Sequence, residues 1–566
     1  MCPNHWTNGV AKRIYSACRR YNNPTVAGTI AKETCYDPIS QASLNAVNFL
    51  KKELVFSESL SRLTNDHYSV YETFITTLKK IQQDSADEKA FNIVEDSKAL
   101  QWYEAMKNSE ILSFSQVSSQ YLVEEKYYQK EIAKIEQHKK QLLANNIQET
   151  DPNYMRMTLS LYEWQLKYDS LKGELAKKYN SYYQLQYGGD KLTIKEVQNK
   201  LLLPHQTLVE YFVGDSSLFA FVVKPDFYQV IEIKKDFPLD EWVKLLRGSL
   251  SADNFQTQAD VYADMAFRLY EKLIKPFQAQ LSEDVIIVPD GILGYIPFEA
   301  LLTQKPEKAI RFHDHAYLLR DHNISYSFSA TLLREMMQKK HHTTPNKSII
   351  AFAPFYDSDT AALAKTFGDD VAMRCNLFPL SNSGEEAYRI AKAMNGEAIV
   401  GKNATEQKFI ETAQTARIIH LATHGQTDDK SGDYSFLAFA TLKDSLENGL
   451  LYVRDLYNLT LNADMVVLSA CETGIGKLQR GEGIISLARA FAYAGAISIV
   501  TSLWSVNDAK TKDLMLLFYK NLKRGQSKDA ALRGAKLNFI DKNTHPNAHP
   551  FFWAGFIGIG DMSKIR

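Results

Sequence analysis

The sequence predicts an α then α/β chain: a helical N-terminal portion followed by two α/β blocks with mostly parallel sheets. Punctuation is the first observation. Up to residue 190 the only glycines are Gly9, Gly28, Gly173, Gly188 and Gly189, and no proline lies between Pro38 and Pro152, so helices can run long there. Beyond residue 190 glycine and proline recur at the ends of short apolar runs. Those runs are the second observation: near-continuous apolar stretches alternate with amphipathic ones, the pattern of strands covered on both faces by helices. Length is the third, because 566 residues exceed one hydrophobic core and imply roughly three domains.

The elements follow in order. The opening MCPNHWTNGVAKRIYSACRR has no apolar run of signal-peptide type and no clear helix start. Residues 1–115 are expected to be helical. Within them YSVYETFITTLKKIQQ and EKAFNIVEDSKALQWYEAM read as a helix pair, either one unit of a tetratricopeptide-like solenoid or plain helical packing. The next unit, 116–200, is expected to be a long antiparallel helical hairpin. Leu161, Trp164, Tyr168, Leu171, Leu175 and Tyr179 form one helix stripe; Tyr128, Ile132, Ile135 and Leu142 form another, and NNIQETDPNY supplies the turn. Over 201–342, TLVEYFVGD, SLFAFVVKP and FYQVIEI predict strands, followed by the helix VYADMAFRLYEKLIKPFQ. The strand and turn of DVIIVPDGILGYIPFEALL and the strand–helix ISYSFSATLLREMM complete that first α/β block. A second series fills 343–566. Strands KSIIAFAPF, EAIVG, RIIHLATHG, DMVVLSACETG, ISIVTSLW and FFWAGFIGIG are separated by helices near 383–395, 404–414, 482–494, 508–523 and 527–540.

Composition excludes several classes. Sixty-six Lys and Arg balance 66 Asp and Glu, so no global field favours nucleic acid or an anionic membrane. Cys2, Cys18, Cys35, Cys375 and Cys471 are scattered and form no CxxC pair. That argues against a disulfide framework and a structural zinc site, and for a reducing, cytoplasmic setting. The run IISLARAFAYAGAISIVTSLW is about long enough to span a bilayer. Arg489 interrupts it, Gly495 breaks it and its second half turns β-branched, so a buried helix followed by a core strand is the better reading. GIGKLQRGEG lacks the phosphate-loop pattern, which sets nucleotide binding aside.

The chemistry lies at two strand ends. RIIHLATHG places His424, and DMVVLSACETG places Cys471, just past an apolar strand, where an open α/β sheet gathers reactive groups. If the two strands are neighbours, imidazole and thiol come within hydrogen-bonding range, the arrangement that makes a thiol nucleophilic near neutral pH. Gly425 lets the backbone turn, and its N–H with that of Cys471 can face a developing oxyanion. Either residue alone reads more readily as packing: lone cysteines are usually buried and inert. Together, with His first by about fifty residues, they match caspase-type spacing.

The chain resembles the CHAT domain family, caspase-like and separase-like peptidases often preceded by tetratricopeptide repeats. The segments that carry the resemblance are AFNIVEDSK, YNSYYQL, TLVEYFVGD, VIIVPDGILGYIPFEALL, ISYSFSATLL, RIIHLATHG, VVLSACETGIG, GEGIISLARAFAYAGAISIVTSLWSVNDAKT and HPFFWAGFIGIGD, in the family's order. The resemblance implies two caspase-like subdomains, a pseudo-protease one over 201–342 and an active one over 343–566. It further implies a Cys–His dyad with His424 as base and Cys471 as nucleophile, acting on a protein substrate without a metal or cofactor. The helical half would dock a protein regulator or substrate. SLWSVNDAKT resembles a separase segment whose acidic residue receives a basic P1 side chain, which implies Asp508, or failing that Asp513, in an S1 pocket. Asp508 reads equally as the cap of the helix it precedes. Glu472 is expected to be structural in its loop, His420 packed inside, and His341, His342, His545 and His549 without a role in a polar linker and a polar loop. The competing function is a helical interaction scaffold whose caspase-like half is inactive.

Overall fold

The protein is described by a computed structural model over residues 68–81, 86–98, a series of positions between 124 and 142, residue 148, and residues 151–178. From 192 to 566 it is described except for 252–256, 342, 356–379, 427–434, 441–448, 457–458, 470–477, 480–482, 485–486, 505–507 and 545–546. The helical expectation before residue 68, and Cys471, Glu472, His342 and His545, lie outside the described residues.

Two α-helices, Tyr68–Ile81 and Ala86–Ser97, form the first pair, and a third, Pro152–Lys178, forms the second arm of the hairpin. The described positions between 124 and 142 are helical as well. Tyr128 meets Trp164 at 5.7 Å between ring centroids, and the Lys139 ammonium lies 4.7 Å from the Tyr154 ring, so the arms run antiparallel. Strands follow: β1 Gln206–Val213, β2 Ser217–Lys224, β3 Phe227–Lys234, β4 Asp284–Val288, β5 Asn323–Tyr326, β6 Lys347–Ala353, β7 Glu397–Val400 and β8 Ala416–Leu421. Then come β9 Gly425–Gln426, β10 Phe436–Ala438, β11 Leu450–Tyr452, β12 Met465–Leu468, β13 Leu478–Gln479, β14 Gly483–Ile484, β15 Ser498–Ser502 and β16 Phe556–Gly560.

Eleven of these form one sheet in the order β3-β2-β1-β4-β5-β16-β15-β12-β8-β6-β7. The two α/β blocks therefore join edge to edge, β16 running parallel to β5 and antiparallel to β15. β12 lies between β15 and β8, parallel to both, and β6 lies beyond β8. The apolar runs that predicted strands are now explained: Ile418, Ile419, Met465, Val466, Val467, Ile499 and Val500 are all buried, as central strands covered on both faces must be. β9, β10 and β11 make a small separate antiparallel sheet.

The membrane-length run resolves into the helix Leu487–Ala494 and β15. Gly495 joins them at φ +123°, where a Cβ would fall 2.4 Å from the Leu461 carbonyl oxygen; only glycine turns the chain there without strain. No helix among the described residues is long and apolar enough to cross a membrane. The helix Leu239–Ser251 is one the sequence reading passes over.

Alternation in β1 sets how the helical pair docks. Leu208 and Phe212 face Tyr71, Phe74, Phe91 and Val94 in one apolar cluster, whereas Val209, Tyr211 and Val213 face the helices beyond residue 239 in another. Two carboxylates fix the docking. Glu72 accepts from the backbone N–H groups of Asp215, Ser216 and Ser217 at 2.6, 2.9 and 3.0 Å. Glu95 accepts from those of Ala330 and Thr331 at 3.0 and 2.7 Å, at the start of the helix Ala330–Gln338, where a helix N-terminus favours negative charge.

Candidate active site

The parallel register of β8 and β12 sets the site's geometry. Ile418 pairs with Met465, His420 with Val467 and Leu421 with Leu468. His424 is the third residue past Leu421, and Cys471 the third past Leu468, so both follow a paired position by the same count along adjacent strands. One further backbone bond, from Ser469 N–H to the Leu421 carbonyl at 2.9 Å, extends the pairing to two residues before Cys471. The thiol lies outside the described residues.

Ala422 N–H donates to the Phe352 carbonyl of β6 at 2.9 Å, and the Thr423 hydroxyl donates to the Ala438 carbonyl. The His424 carbonyl accepts from Ala438 N–H at 2.9 Å, and Gly425 pairs with Leu437. The small sheet thus anchors the backbone on which the imidazole sits. His424 is 9% exposed, its ring 5.4 Å from the Phe355 ring. It is thus nearly buried, at the rim of the sheet where β8 ends.

A polar cluster lies beneath the rim. His420 is fully buried; its Nε2 lies 2.9 Å from Glu386 Oε1 and its Nδ1 3.2 Å from the Tyr519 hydroxyl. The Ser469 hydroxyl donates to the same Glu386 oxygen at 2.8 Å. Burial pushes the Tyr519 phenol well above its ordinary pKa, which keeps it a neutral hydrogen-bond donor. The interior placing expected of His420 is what the structure has. Glu386 and Ser469 are members sequence reasoning missed. A carboxylate among Ala387, Ile390 and Ala391 on the buried side of its helix is the signal that could have found the first.

Asp508 begins the helix Asp508–Lys523, with its side chain outside the described residues; Asp513 points to solvent from that helix. Lys512, one turn on from Asp508, donates to Glu385 Oε2 at 2.7 Å and to Asn382 Oδ1 at 3.3 Å. The segment before it is held from the first α/β block: the Arg247 guanidinium donates to the Leu503 carbonyl and lies 5.0 Å from the Trp504 ring.

Two remote histidines differ from expectation. His549 is fully buried, its Nδ1 accepting from Phe551 N–H at 3.0 Å, because the PFFW run that follows draws the loop into the core. His341 pairs with the buried Asp464 at 2.7 Å and so fastens the linker between the blocks.

The CHAT domain family description matches residues 264–561. Tetratricopeptide repeat protein 28 from Homo sapiens is 27% identical over 343 residues, covering 53% of this chain and 13% of that protein. Its Mus musculus counterpart is 26% identical over the same length and coverage. The chain spans about an eighth of the length of these relatives. Among solved structures, the Saccharomyces cerevisiae separase–securin complex matches with TM-score 0.40 and 10% identity, over 92% of this chain and 48% of that one. The Arg-specific cysteine proteinase gingipain R matches with TM-score 0.32 and 11% identity, over 58% and 74%.

Proposed function

The chain belongs to the CHAT domain family, and on that premise we propose that it is a cysteine endopeptidase with His424 as general base and Cys471 as nucleophile. The observation that carries the reading is the β8–β12 register, which sets Leu421 beside Leu468. In the proposed reaction His424 takes the Cys471 proton and the thiolate attacks the scissile carbonyl. The N–H groups of Gly425 and Cys471 face the oxyanion. The imidazolium then protonates the departing amine, leaving an acyl-enzyme that a water, deprotonated by His424, hydrolyses. Asp508 is the proposed S1 carboxylate, selecting Arg or Lys at P1 by charge pairing. The substrate is a protein, the helical half docks a protein regulator, and a reducing cytoplasmic setting keeps the thiol free.

A second reading is supported by the hairpin. Met155, Leu159, Tyr162 and Leu166 are 51–65% exposed and step by four and three along one face of their helix, as an anchor stripe for a partner does. In that reading the chain is an interaction scaffold without catalysis.

Fluorogenic peptides differing only at P1, offered to the purified full chain, separate the two. The peptidase reading expects turnover of Arg or Lys peptides that Cys471→Ala abolishes while the circular dichroism spectrum is unchanged. Turnover that survives Cys471→Ala overturns the assignment, and no turnover of any peptide together with no labelling of Cys471 by a peptidyl electrophile selects the scaffold.

A further inference from the structure

We propose that Glu386 is a positioning residue that fixes the separation of the two strand ends leading to His424 and Cys471; the proposal rests on the peptidase reading above. Past the Ser469–Leu421 bond the β8 chain is held by β6 through Ala422 and by the small sheet through Thr423 and His424. Beside the last described rung, one side chain spans both strands. Glu386 Oε1 accepts from His420 Nε2 at 2.9 Å and from the Ser469 hydroxyl at 2.8 Å. His420 stands four residues before His424, and Ser469 two before Cys471.

All three are buried, Glu386 to 1%, His420 to 0% and Ser469 to 8% exposure. A buried carboxylate is expensive unless its lone pairs are taken, and here two donors from two different strands take one oxygen. The donor set assigns His420 the tautomer with hydrogen on Nε2, leaving Nδ1 to accept from Tyr519. Tyr519 belongs to the helix that begins at Asp508. That helix is tied to Glu385, the neighbour of Glu386, through Lys512. The helix Ser383–Ala393 therefore references three parts of the site to one another: the base strand, the nucleophile strand and the helix carrying the S1 carboxylate. A shift of about 1 Å between reacting groups lowers rate on the order of 100-fold without altering the groups themselves.

The test uses the full chain and two readouts that a merely structural role does not move. The first is the pH profile of Cys471 alkylation by iodoacetamide, resolved from the other cysteines by peptide mass spectrometry. The second is the separation of kcat from KM on the P1 peptide that wild type turns over best. His424→Ala is expected to shift the alkylation midpoint up to that of a free thiol, about 8.5. Glu386→Ala is expected to shift it in the same direction and to lower kcat roughly 100-fold with KM within about twofold. Glu386→Gln, whose amide oxygen can accept both hydrogen bonds, restores most of kcat. Ser469→Ala, which removes one hydroxyl and leaves the core filled, gives a smaller loss that is not additive with Glu386→Ala, and it carries the test if Glu386→Ala does not fold. A wild-type profile and kcat in Glu386→Ala or Ser469→Ala, beside a shifted profile in His424→Ala, overturns the positioning role alone. An unshifted profile in His424→Ala overturns the dyad and the positioning role with it.

Discussion

At the scale of single residues, the sequence displays chemistry better than it displays contacts. His424 and Cys471 stand out because each ends an apolar run next to a small residue, and Gly495 because a glycine inside a membrane-length stretch must turn the chain. Glu386 does not stand out, because it sits in SGEEAYRIAKA among charges that look solvent-facing; only the helix phase sends it inward. His315 is a similar case. Nothing in RFHDHAYLL separates His313 from His315, yet the structure buries His315 between Tyr262, Phe312 and Tyr317 at 6.1, 5.5 and 5.6 Å. Burial lowers its pKa from 6.5 to about 4. Above pH 6.5 the ring is neutral folded and unfolded alike, so it exacts nothing. Between 6.5 and 4 the unfolded chain takes up a proton that the folded one refuses, and stability falls as pH falls, by up to roughly 3 kcal/mol. His315→Phe should therefore show a smaller drop in urea midpoint between pH 7 and pH 5 than wild type. Equal drops in both would contradict this account of the burial.

Among elements, periodicity made most helices and strands legible, and the segments it marked in the second block match the observed strands β6, β7, β8, β12 and β15. The helix Leu239–Ser251 was legible but unread: Pro238 followed by Asp240 and Glu241 in the first turn is a helix-start signal. What periodicity cannot carry is how elements meet, because docking depends on contacts between distant positions. The pair Tyr68–Ile81 and Ala86–Ser97 is held by Glu72 and Glu95, which plug backbone donors on the α/β block more than 140 residues away. Gly214 belongs to that fit, since a Cβ there would fall 2.4 Å from Glu72 Cδ. Glu72→Ala removes three charge-assisted backbone bonds while leaving the apolar contacts of Tyr71 and Phe74. It should weaken docking by about 2 kcal/mol, a roughly thirty-fold loss of amide exchange protection in Tyr68–Ile81. Unchanged protection there would show that the apolar contacts alone hold the pair.

For the whole molecule, the sequence implies two α/β blocks, and the structure joins them in one sheet through β16 and β5. The join was illegible because a single C-terminal strand makes it, and FFWAGFIGIG says nothing of which two neighbours it will pair with. Side chains cross the same boundary. Lys536 reaches Glu299 at 2.9 Å with both groups 1% exposed, and Glu299 also takes the Tyr326 hydroxyl. Arg247 holds Leu503 and Trp504 just ahead of Asp508. The 3-10 turn Gly291–Tyr295 of the first block runs beside β13 and β14, which follow Cys471 in the chain. The first block thus reaches the chain that follows Cys471 in sequence, and the proposed dyad depends on what that assembled frame does to one thiol. The most direct measurement is the mass of tryptic peptides after the full chain is treated at pH 7 with a peptidyl electrophile ending in arginine. The account predicts a single adduct on Cys471 in wild type and its loss in His424→Ala. An adduct of equal yield in both, or modification of other cysteines with Cys471 untouched, would contradict it.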